Sequence, residues 1–298
     1  MTTHKPIAVG TNDSAQSQAA VLWAARRANQ EKVPLVILHV VDDRWVAEPY
    51  PWIGALEEAG EKLLETAANR VRGTLPITIT TKLLTGSVGG SLAKYSGKAS
   101  MVVVGSGSGH LGGSLADRAL QVAASSKVPV AVVGTQELEG RSGVVVGVDG
   151  SKESTQAVAF AATEADRAGE ELTVLYAISA PDPVVDAGLT PTTLAELIVE
   201  EERLVLSETV AGIREDYPDL QVQQVLETDE GPVDALVKAA AGARMLVVGS
   251  RGRGAIKRLL LGSTAHGVLK HLPCPTVITR IQPLKNKMTT GKSKQRNG

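Results

Sequence analysis

The sequence is internally repeated, and this repeat constrains the fold more than any other feature. Three short segments of the first half recur in the same order in the second half: residues 7–14 (IAVGTNDS) match residues 144–151 (VVVGVDGS), residues 101–106 (MVVVGS) match residues 245–250 (MLVVGS), and residues 128–133 (VPVAVV) match residues 274–279 (CPTVIT). Three matches in one order indicate that a single structural unit occurs twice in the chain.

The two copies differ in length. The matched glycines Gly10 and Gly147 lie 137 residues apart, whereas the matched prolines Pro129 and Pro275 lie 146 residues apart. The second copy has therefore gained residues, some of them in the loop before its last helix.

The length of the chain agrees with a duplicated domain. A chain of 298 residues can hold two domains of about 140 residues, each with a full core. We predict a first domain at 1–138 and a second at 139–282. Residues 136–142 (QELEGRS) are short, polar and contain a glycine, which is typical of a linker. Residues 283–298 are polar and basic, and we predict a disordered tail there.

Each copy alternates short β-branched runs with longer amphipathic stretches, which is typical of βαβ units around a parallel sheet. Aromatic residues make up only 3% of the chain, so the cores must consist mainly of Val, Leu, Ile and Ala, as parallel sheets covered by helices usually do. We predict an α/β fold with two tandem five-stranded sheets. In the second copy we expect strands near 143–148, 172–178, 220–227, 245–249 and 275–280, and helices near 151–169, 190–216, 232–243 and 262–272.

Composition argues against several classes of protein. The net charge of -1 gives no overall field that would attract nucleic acid or an anionic membrane. The only cysteine, Cys274, has no internal partner for a disulfide, and the N-terminus lacks the apolar stretch of a secretory signal. No segment approaches the roughly 20 apolar residues of a membrane span. We therefore expect a cytoplasmic protein.

A glycine-rich loop in the second copy is the strongest functional signal. Residues 249–264 (GSRGRGAIKRLLLGST) place Gly249, Gly252 and Gly262 in the spacing G-x2-G-x9-G, followed by Ser263. After a parallel strand, such glycines allow positive φ angles and a close approach of backbone N–H groups to an anion, and the next helix begins with free donors. The hydroxyls of Ser263 and Thr264 add donors. Four basic residues also surround the loop: Arg251, Arg253, Lys257 and Arg258. A polyphosphate would suit this arrangement.

Taken alone, such a loop could equally be a basic surface turn. A second feature favours a ligand site: Asp149 ends the first predicted strand of the same copy. Open α/β sheets bind ligands at the carboxyl ends of their strands, so Asp149 and the loop should lie close together. A carboxylate there could accept a hydrogen bond from a ribose hydroxyl or hold Mg²⁺.

These motifs together resemble the universal stress protein family. The resemblance rests on VGVDGS at 146–151, VVGSRGRG at 247–254, LGS at 261–263 and CPTVI at 274–278, and it covers residues 5–282 as two domains. It implies a five-stranded parallel sheet flanked by helices, of the Rossmann-like type found in adenine nucleotide alpha hydrolases. It also implies dimerisation through the last strand and, with this glycine spacing, ATP bound at the carboxyl edge of the sheet.

The resemblance also assigns residues. It implies that Asp149 lies near the adenosine and the backbone of Ala177 near the adenine. Ribose and phosphates would be surrounded by Gly249, Arg251, Gly252, Gly262, Ser263 and Thr264. With the loop and strand neighbours, the predicted nucleotide-binding set is Val148, Asp149, Gly150, Ala177, Gly249, Arg251, Gly252, Gly254, Gly262, Ser263 and Thr264, with Mg²⁺ through Asp149 as an addition.

The first copy departs from this pattern. Asn12 stands in place of Asp149, and the loop at 105–114 (GSGSGHLGGS) has Ser108 in place of the second glycine and no basic residue. We predict weak or absent ATP binding there. As an alternative, the remaining glycines of this loop could form a small anion nest: Gly105, Gly107, Gly109, Gly112 and Gly113.

The remaining residues that could act as a metal ligand, base or nucleophile are better explained by structural roles. His39 lies on an apolar strand, where a satisfied strand-end histidine is expected. His266 and His271 are five residues apart on one helix, so they do not share a face and a metal site is not expected. Cys274 precedes a proline at a strand start, and nothing in the sequence places a base beside it.

The sequence contains none of the common catalytic motifs: no Walker loop, no G-x-S-x-G elbow and no C-x-x-C pair. We therefore predict a regulatory ATP-binding protein of the stress response, not an enzyme, that acts through an unknown protein partner or through self-association. A slow ATPase or nucleotidyl transferase in the same pocket, and a scaffold without ligand, remain as alternatives. The last strands of the two domains should pair within the chain as a pseudo-dimer, which leaves room for a homodimer of chains.

Overall fold

The computed structural model describes residues 5–43, 53–107, 116–178, 191–253 and 261–280. In the first copy, its strands are β1 (Ile7–Gly10), β2 (Leu35–Val41), β3 (Ile79–Thr85), β4 (Met101–Gly105) and β5 (Val130–Val133), and its helices are α1 (Ala15–Glu31), α2 (Ile53–Asn69), α3 (Val88–Tyr95) and α4 (Ala116–Ser125). In the second copy, the strands are β6 (Val144–Val148), β7 (Leu172–Ala177), β8 (Val222–Glu227), β9 (Met245–Gly249) and β10 (Thr276–Thr279), and the helices are α5 (Lys152–Ala168), α6 (Pro191–Asp216), α7 (Pro232–Ala239) and α8 (Ser263–His271).

The ten strands form one sheet in the order β3-β2-β1-β4-β5-β10-β9-β6-β7-β8. Pairing is parallel within each copy and antiparallel only between β5 and β10, where Ala131 lies opposite Val277. Each copy is thus a five-stranded parallel sheet, as predicted, and the copies join edge to edge through their last strands. This pairing covers one exposed edge of each sheet and forms the predicted pseudo-dimer within the chain.

Helix ends follow the local sequence. Ser14 and Ser151 cap α1 and α5, and in each case the serine hydroxyl accepts a hydrogen bond from a backbone N–H of the first turn. Gly169 ends α5 in the left-handed conformation, which glycine adopts easily. Helix α7 ends at Ala239, four residues earlier than predicted, because a turn follows it before β9.

The sheet separates two apolar layers. On one face, α1, α2, α5 and α6 bury a cluster that includes Leu64, Leu206 and Val277; on the other face, α3, α4, α7 and α8 bury a cluster that includes Leu92 and Leu236. Both clusters consist mainly of Val, Leu, Ile and Ala, as the low aromatic content predicted. Each cluster contains residues of both copies, so the two halves share their cores.

The connection between the copies is held in place by the second copy. Between β5 and β6, the Gln136 side chain donates to the Leu272 carbonyl oxygen at 2.5 Å and the Arg141 guanidinium donates to the Pro273 carbonyl oxygen at 2.8 Å. The predicted tail at 283–298 lies outside the described residues. Among the helices of the described ranges, none combines the length and the apolar character needed to cross a bilayer.

Candidate functional site

A cleft of about 490 Å³ opens at the carboxyl ends of β6, β7 and β9 in the second copy. Parallel strands end at this edge, so the residues that follow them converge although they are far apart in the sequence. Of the residues predicted from sequence, the cleft brings together Val148, Asp149, Ala177, Gly249, Arg251, Gly252, Gly262, Ser263 and Thr264.

Two predicted residues are not part of the described cleft lining. Gly150 lies in the turn after β6 with a φ of 70°, a conformation that favours glycine, and a Cβ at this position would collide with the Arg253 guanidinium. Its role in the structure is therefore to form the turn beneath the loop. Gly254 lies outside the described residues.

Asp149 holds the glycine loop against the sheet. Its Oδ1 accepts a hydrogen bond from the Ser151 N–H at 3.0 Å, and its Oδ2 accepts one from the Arg253 N–H at 2.9 Å. The first bond orders the turn into α5, and the second joins strand β6 to the loop after β9. The carboxylate therefore organises the cleft.

Close contact with other residues favours glycine at positions 249 and 252 of this loop. Neither Gly249 nor Gly252 has a positive φ angle. A Cβ at position 252 would collide with the Asp149 carboxylate, and one at position 249 would lie 3.1 Å from the Arg251 carbonyl oxygen and 3.2 Å from Glu153. The structure thus gives these two positions a reason for glycine that the sequence argument did not include, namely close contact with other residues of the chain.

Helix α8 begins at the cleft without a capping side chain. Its N-cap residue is Gly262, which has no side chain to satisfy the amides of the first turn, while its own N–H donates to the Ser250 carbonyl oxygen at 2.8 Å. The first turn, with Ser263 and Thr264, lines the cleft. Free N–H groups and the positive end of the helix dipole make this end suitable for an anion.

Arg251 adds positive charge to the same end of the cleft. It is exposed, and among the described residues its guanidinium forms no ion pair. Burial and, secondarily, the positive charge of Arg251 lower the pKa of Arg280, which donates hydrogen bonds to the Ala123 and Ala124 carbonyl oxygens at the end of α4. The end of the cleft near α8 therefore lies close to the first copy.

The cleft lining also includes residues outside the predicted nucleotide-binding set, among them Tyr176, Glu202 and Arg253. Arg253 donates from Nη1 to both carboxylate oxygens of Glu202, at 2.7 and 3.0 Å, and its guanidinium lies 6.0 Å from the centre of the Tyr176 ring. Burial, and next a hydrogen bond with Glu202, raise the pKa of Tyr176. Arg253 was recognised as a basic residue of the loop, but its partner on α6 could not be located, because the rotation of that helix is set by packing.

The opposite side of the cleft is apolar. Leu175, Leu236 and Val248 line it, and Gly147 lies between them where a Cβ would press against Leu236 and Val248. The cleft is thus divided into an apolar part near the sheet and a part rich in N–H donors near α8. This division suits a ligand with a flat apolar group at one end and negative charge at the other.

Comparison with known proteins agrees with the repeated fold. The sequence model of the universal stress protein family matches the chain twice, at residues 3–134 and 141–280. The chain belongs to the universal stress protein family.

Relatives of this family match along more than nine-tenths of the chain. A universal stress protein of Mycobacterium tuberculosis is 33% identical over 292 residues, covering 92% of this chain and 96% of its own length. One from Mycolicibacterium smegmatis is 34% identical over 294 residues, covering 93% and 98%. The crystal structure of a universal stress protein from Archaeoglobus fulgidus superposes with a TM-score of 0.68 at 21% identity, covering 93% of this chain and 96% of that one, which supports the fold.

The first universal stress domain has a smaller cleft, of about 250 Å³. Asn12 lines it in place of Asp149, and its side-chain oxygen accepts hydrogen bonds from the Ser14 N–H and hydroxyl at 3.3 and 2.8 Å. Arg118 of α4 also lines this cleft, a basic residue that the loop sequence did not suggest. Gly105 and Gly107 of the predicted anion nest are described, and the remaining part of that nest lies outside the described residues.

The other candidates have the structural roles expected of them. The His39 Nδ1 lies 2.8 Å from the Thr11 carbonyl oxygen, which satisfies that ring nitrogen at the end of β2. Cys274 is fully buried, and burial raises the pKa of its thiol to about 12. In the parts of the chain that the structure describes, no group of three or more His, Cys, Asp or Glu side chains could hold a metal ion. A magnesium ion at Asp149 would therefore need most of its ligands from a nucleotide and water.

Proposed function

We propose that this universal stress protein binds ATP in the cleft of its second domain and acts as a regulatory protein of the stress response. The observation that carries the proposal is the N-terminus of α8, which has no capping side chain and faces the cleft beside Arg251, whose guanidinium forms no ion pair with any described residue. In this proposal the output is a change in a protein partner or in self-association, and no chemical turnover is required.

The chemistry of the cleft supports a nucleoside polyphosphate. Phosphate oxygens would accept hydrogen bonds from the first turn of α8 and from Ser263 and Thr264, and Arg251 would neutralise part of their charge. The base would lie on the apolar side, near Leu175 and the backbone of Ala177. The volume of about 490 Å³ is sufficient for a ligand of this size.

Asp149 is the candidate contact for a ribose hydroxyl or for Mg²⁺. Both of its oxygens already accept backbone N–H bonds, and a carboxylate oxygen can accept a further bond. Mg²⁺, when bound, would neutralise phosphate charge, and most of its ligands would be phosphate and water oxygens.

Titration calorimetry with ATP and Mg²⁺ tests the proposal. We expect one binding site per chain in the wild-type protein and no measurable binding in Gly262→Asp, because the added carboxylate would repel phosphate at the start of α8. A Cβ at position 262 would approach the Arg251 Cα no closer than 3.4 Å, so this variant should fold. Gly242→Asp is the control, since it adds the same charge at an exposed turn where a Cβ meets nothing within 4 Å.

The result separates the alternatives. Two sites per chain would show that the first domain also binds ATP, contrary to our prediction. Binding that persists in Gly262→Asp, or no binding in the wild type, would refute the proposed site. Release of ADP measured on the same samples distinguishes a regulator from an enzyme: sustained turnover in the wild type that is lost in Gly262→Asp would favour the slow ATPase.

A further inference from the structure

A buried ion pair joins the two domains at a distance from either cleft. Arg27 on α1 donates from Nη1 and Nη2 to the two carboxylate oxygens of Glu164 on α5, at 2.5 and 2.7 Å. Their side chains are only 8% and 6% exposed. A paired charge this deeply buried is costly to desolvate, and well-packed apolar residues often stabilise a protein as much or more. The pair therefore calls for an explanation other than stability.

Arg27 and Glu164 occupy the same position of the repeat. They lie 137 residues apart, as do Gly10 and Gly147, and as do the helix caps Ser14 and Ser151. The antiparallel pairing of Ala131 with Val277 likewise joins equivalent positions of the two copies. The two domains are thus related by an approximate two-fold axis, and a residue near that axis meets its own counterpart.

This position has opposite charge in the two copies. If two first domains paired in the same way, Arg27 would face a second Arg27; if two second domains paired, Glu164 would face a second Glu164. A buried like-charge pair is strongly unfavourable. Only a first domain with a second domain gives the bidentate ion pair that the structure contains.

The aromatic neighbours reinforce this asymmetry. The Arg27 guanidinium lies 5.6 Å from the centre of the Trp23 ring and 5.4 Å from that of Phe160, and these two residues are also equivalent in the repeat. Aromatic faces attract a cation and repel a carboxylate, so a pair of second domains would place two carboxylates between two such rings.

Two further charged residues lie at the contact. Glu31 contacts Arg27 at 2.8 Å and Arg167 contacts Glu164 at 3.0 Å, each within its own helix, and Arg167 also contacts Glu31 of the other domain at 3.3 Å. The Glu31 and Arg167 side chains are 19% and 40% exposed, so solvent screens their charges more than those of Arg27 and Glu164.

We propose that the Arg27–Glu164 contact determines which domains can pair. The first domain accepts as its partner a universal stress domain that presents a buried carboxylate at the position of Glu164, in the same chain or in a second copy of it, and rejects another first domain. This inference concerns assembly and does not depend on nucleotide binding.

Reversal of the charges tests the contact within one chain. Arg27→Glu and Glu164→Arg each create a buried like-charge pair, and we expect each to lower the unfolding midpoint by about 5–15 °C. The double variant Arg27→Glu/Glu164→Arg restores opposite charges and should recover most of this loss. If the double variant is no more stable than the single variants, the two residues do not act as a pair and the inference is wrong.

Mixing full-length chains tests the choice of partner. The Arg27→Glu chain carries Glu on both sides of the contact and the Glu164→Arg chain carries Arg on both sides. When the two chains are refolded together, the first domain of each chain meets an opposite charge only in the second domain of the other chain. We therefore expect a tagged Arg27→Glu chain to retain several-fold more untagged Glu164→Arg chain than untagged Arg27→Glu chain.

The corresponding mixture of tagged and untagged wild-type chains gives the background from any other association of chains. Retention of the oppositely charged chain at the level of the same-charge and wild-type mixtures would overturn the proposal. This measurement remains decisive if either single variant fails to fold alone, because the two chains complement each other on refolding.

Discussion

The clearest single-residue difference between the two clefts lies at the end of the first strand of each copy, where Asp149 corresponds to Asn12. In the second copy, both oxygens of Asp149 accept backbone N–H bonds, one of them from the glycine loop at Arg253. In the first copy, the Asn12 side-chain oxygen bonds only to Ser14 among the described residues. An amide has one acceptor oxygen and one NH₂ donor group, so it lacks the second acceptor atom with which Asp149 binds the loop.

This difference predicts the effect of Asp149→Asn. The variant keeps the size of the side chain but turns an NH₂ group toward one of the two N–H donors, which should release either the turn or the loop. We expect ATP affinity in the second domain to fall about tenfold to a hundredfold, the loss of one charge-assisted hydrogen bond. Calorimetry would measure it, with Asp166→Asn on the exposed side of α5 as the control. Equal affinity in both variants would contradict a role for Asp149 in holding the loop.

The sequence was sufficient to predict the residues whose roles depend on the chain near them. Gly249, Gly252 and Gly262 could be identified because their spacing is fixed by one loop between a strand and a helix. Gly150 was predicted to contact the nucleotide on the same local grounds. In the structure it forms the turn after β6 and is not part of the cleft lining. Contacts that depend on how distant elements pack, such as that of Glu202 with Arg253, have no local pattern and could not be predicted.

At the scale of elements, helix α6 contributes Glu202 to the lining of the second cleft. Its existence and length were predicted to within a residue, since a long amphipathic stretch ends before Pro218. Its Glu202 holds the Arg253 guanidinium over the Tyr176 ring and places a negative charge in the cleft that should receive phosphates. A phosphate ligand would therefore compete with Glu202 for Arg253.

We predict that Glu202→Gln binds ATP more tightly than the wild type. The substitution removes a negative charge from the cleft and frees Arg253 to interact with phosphate. The Arg253 side chain is 45% exposed, so the gain should be modest, about threefold to tenfold in the dissociation constant. Glu201→Gln changes the same charge at the exposed neighbouring position and should bind as the wild type does. Weaker binding by Glu202→Gln alone would mean that Glu202 contacts the ligand directly.

At the scale of the whole molecule, the two domains are parts of one folded unit. A single ten-stranded sheet passes through both, and each apolar layer contains residues of both copies. The edge-to-edge pairing of β5 and β10 was predicted because the family resemblance implies pairing through the last strand, and such pairing covers an edge of each sheet. The Arg27–Glu164 contact was not predictable, because an arginine and a glutamate on helix surfaces give no sign of burial until the two copies are placed together.

This continuity predicts that the domains unfold together. All three tryptophans, Trp23, Trp45 and Trp52, belong to the first copy, so their fluorescence reports on that copy, whereas far-UV circular dichroism reports on helices of both. We expect the two signals to give the same midpoint in a urea titration. Separate midpoints would show that each copy unfolds independently.

Ligand binding makes the test of this coupling sharper. A ligand that binds only the folded second domain stabilises every part of the molecule that unfolds with it, by about 2.7 kcal/mol at a concentration of 100 times its dissociation constant. ATP should therefore raise the urea midpoint measured by tryptophan fluorescence, although the fluorophores lie in the other copy. In Gly262→Asp the same addition should leave the midpoint unchanged. If ATP binds the wild type and raises the midpoint seen by circular dichroism but not the midpoint seen by fluorescence, the shared core does not couple the two domains.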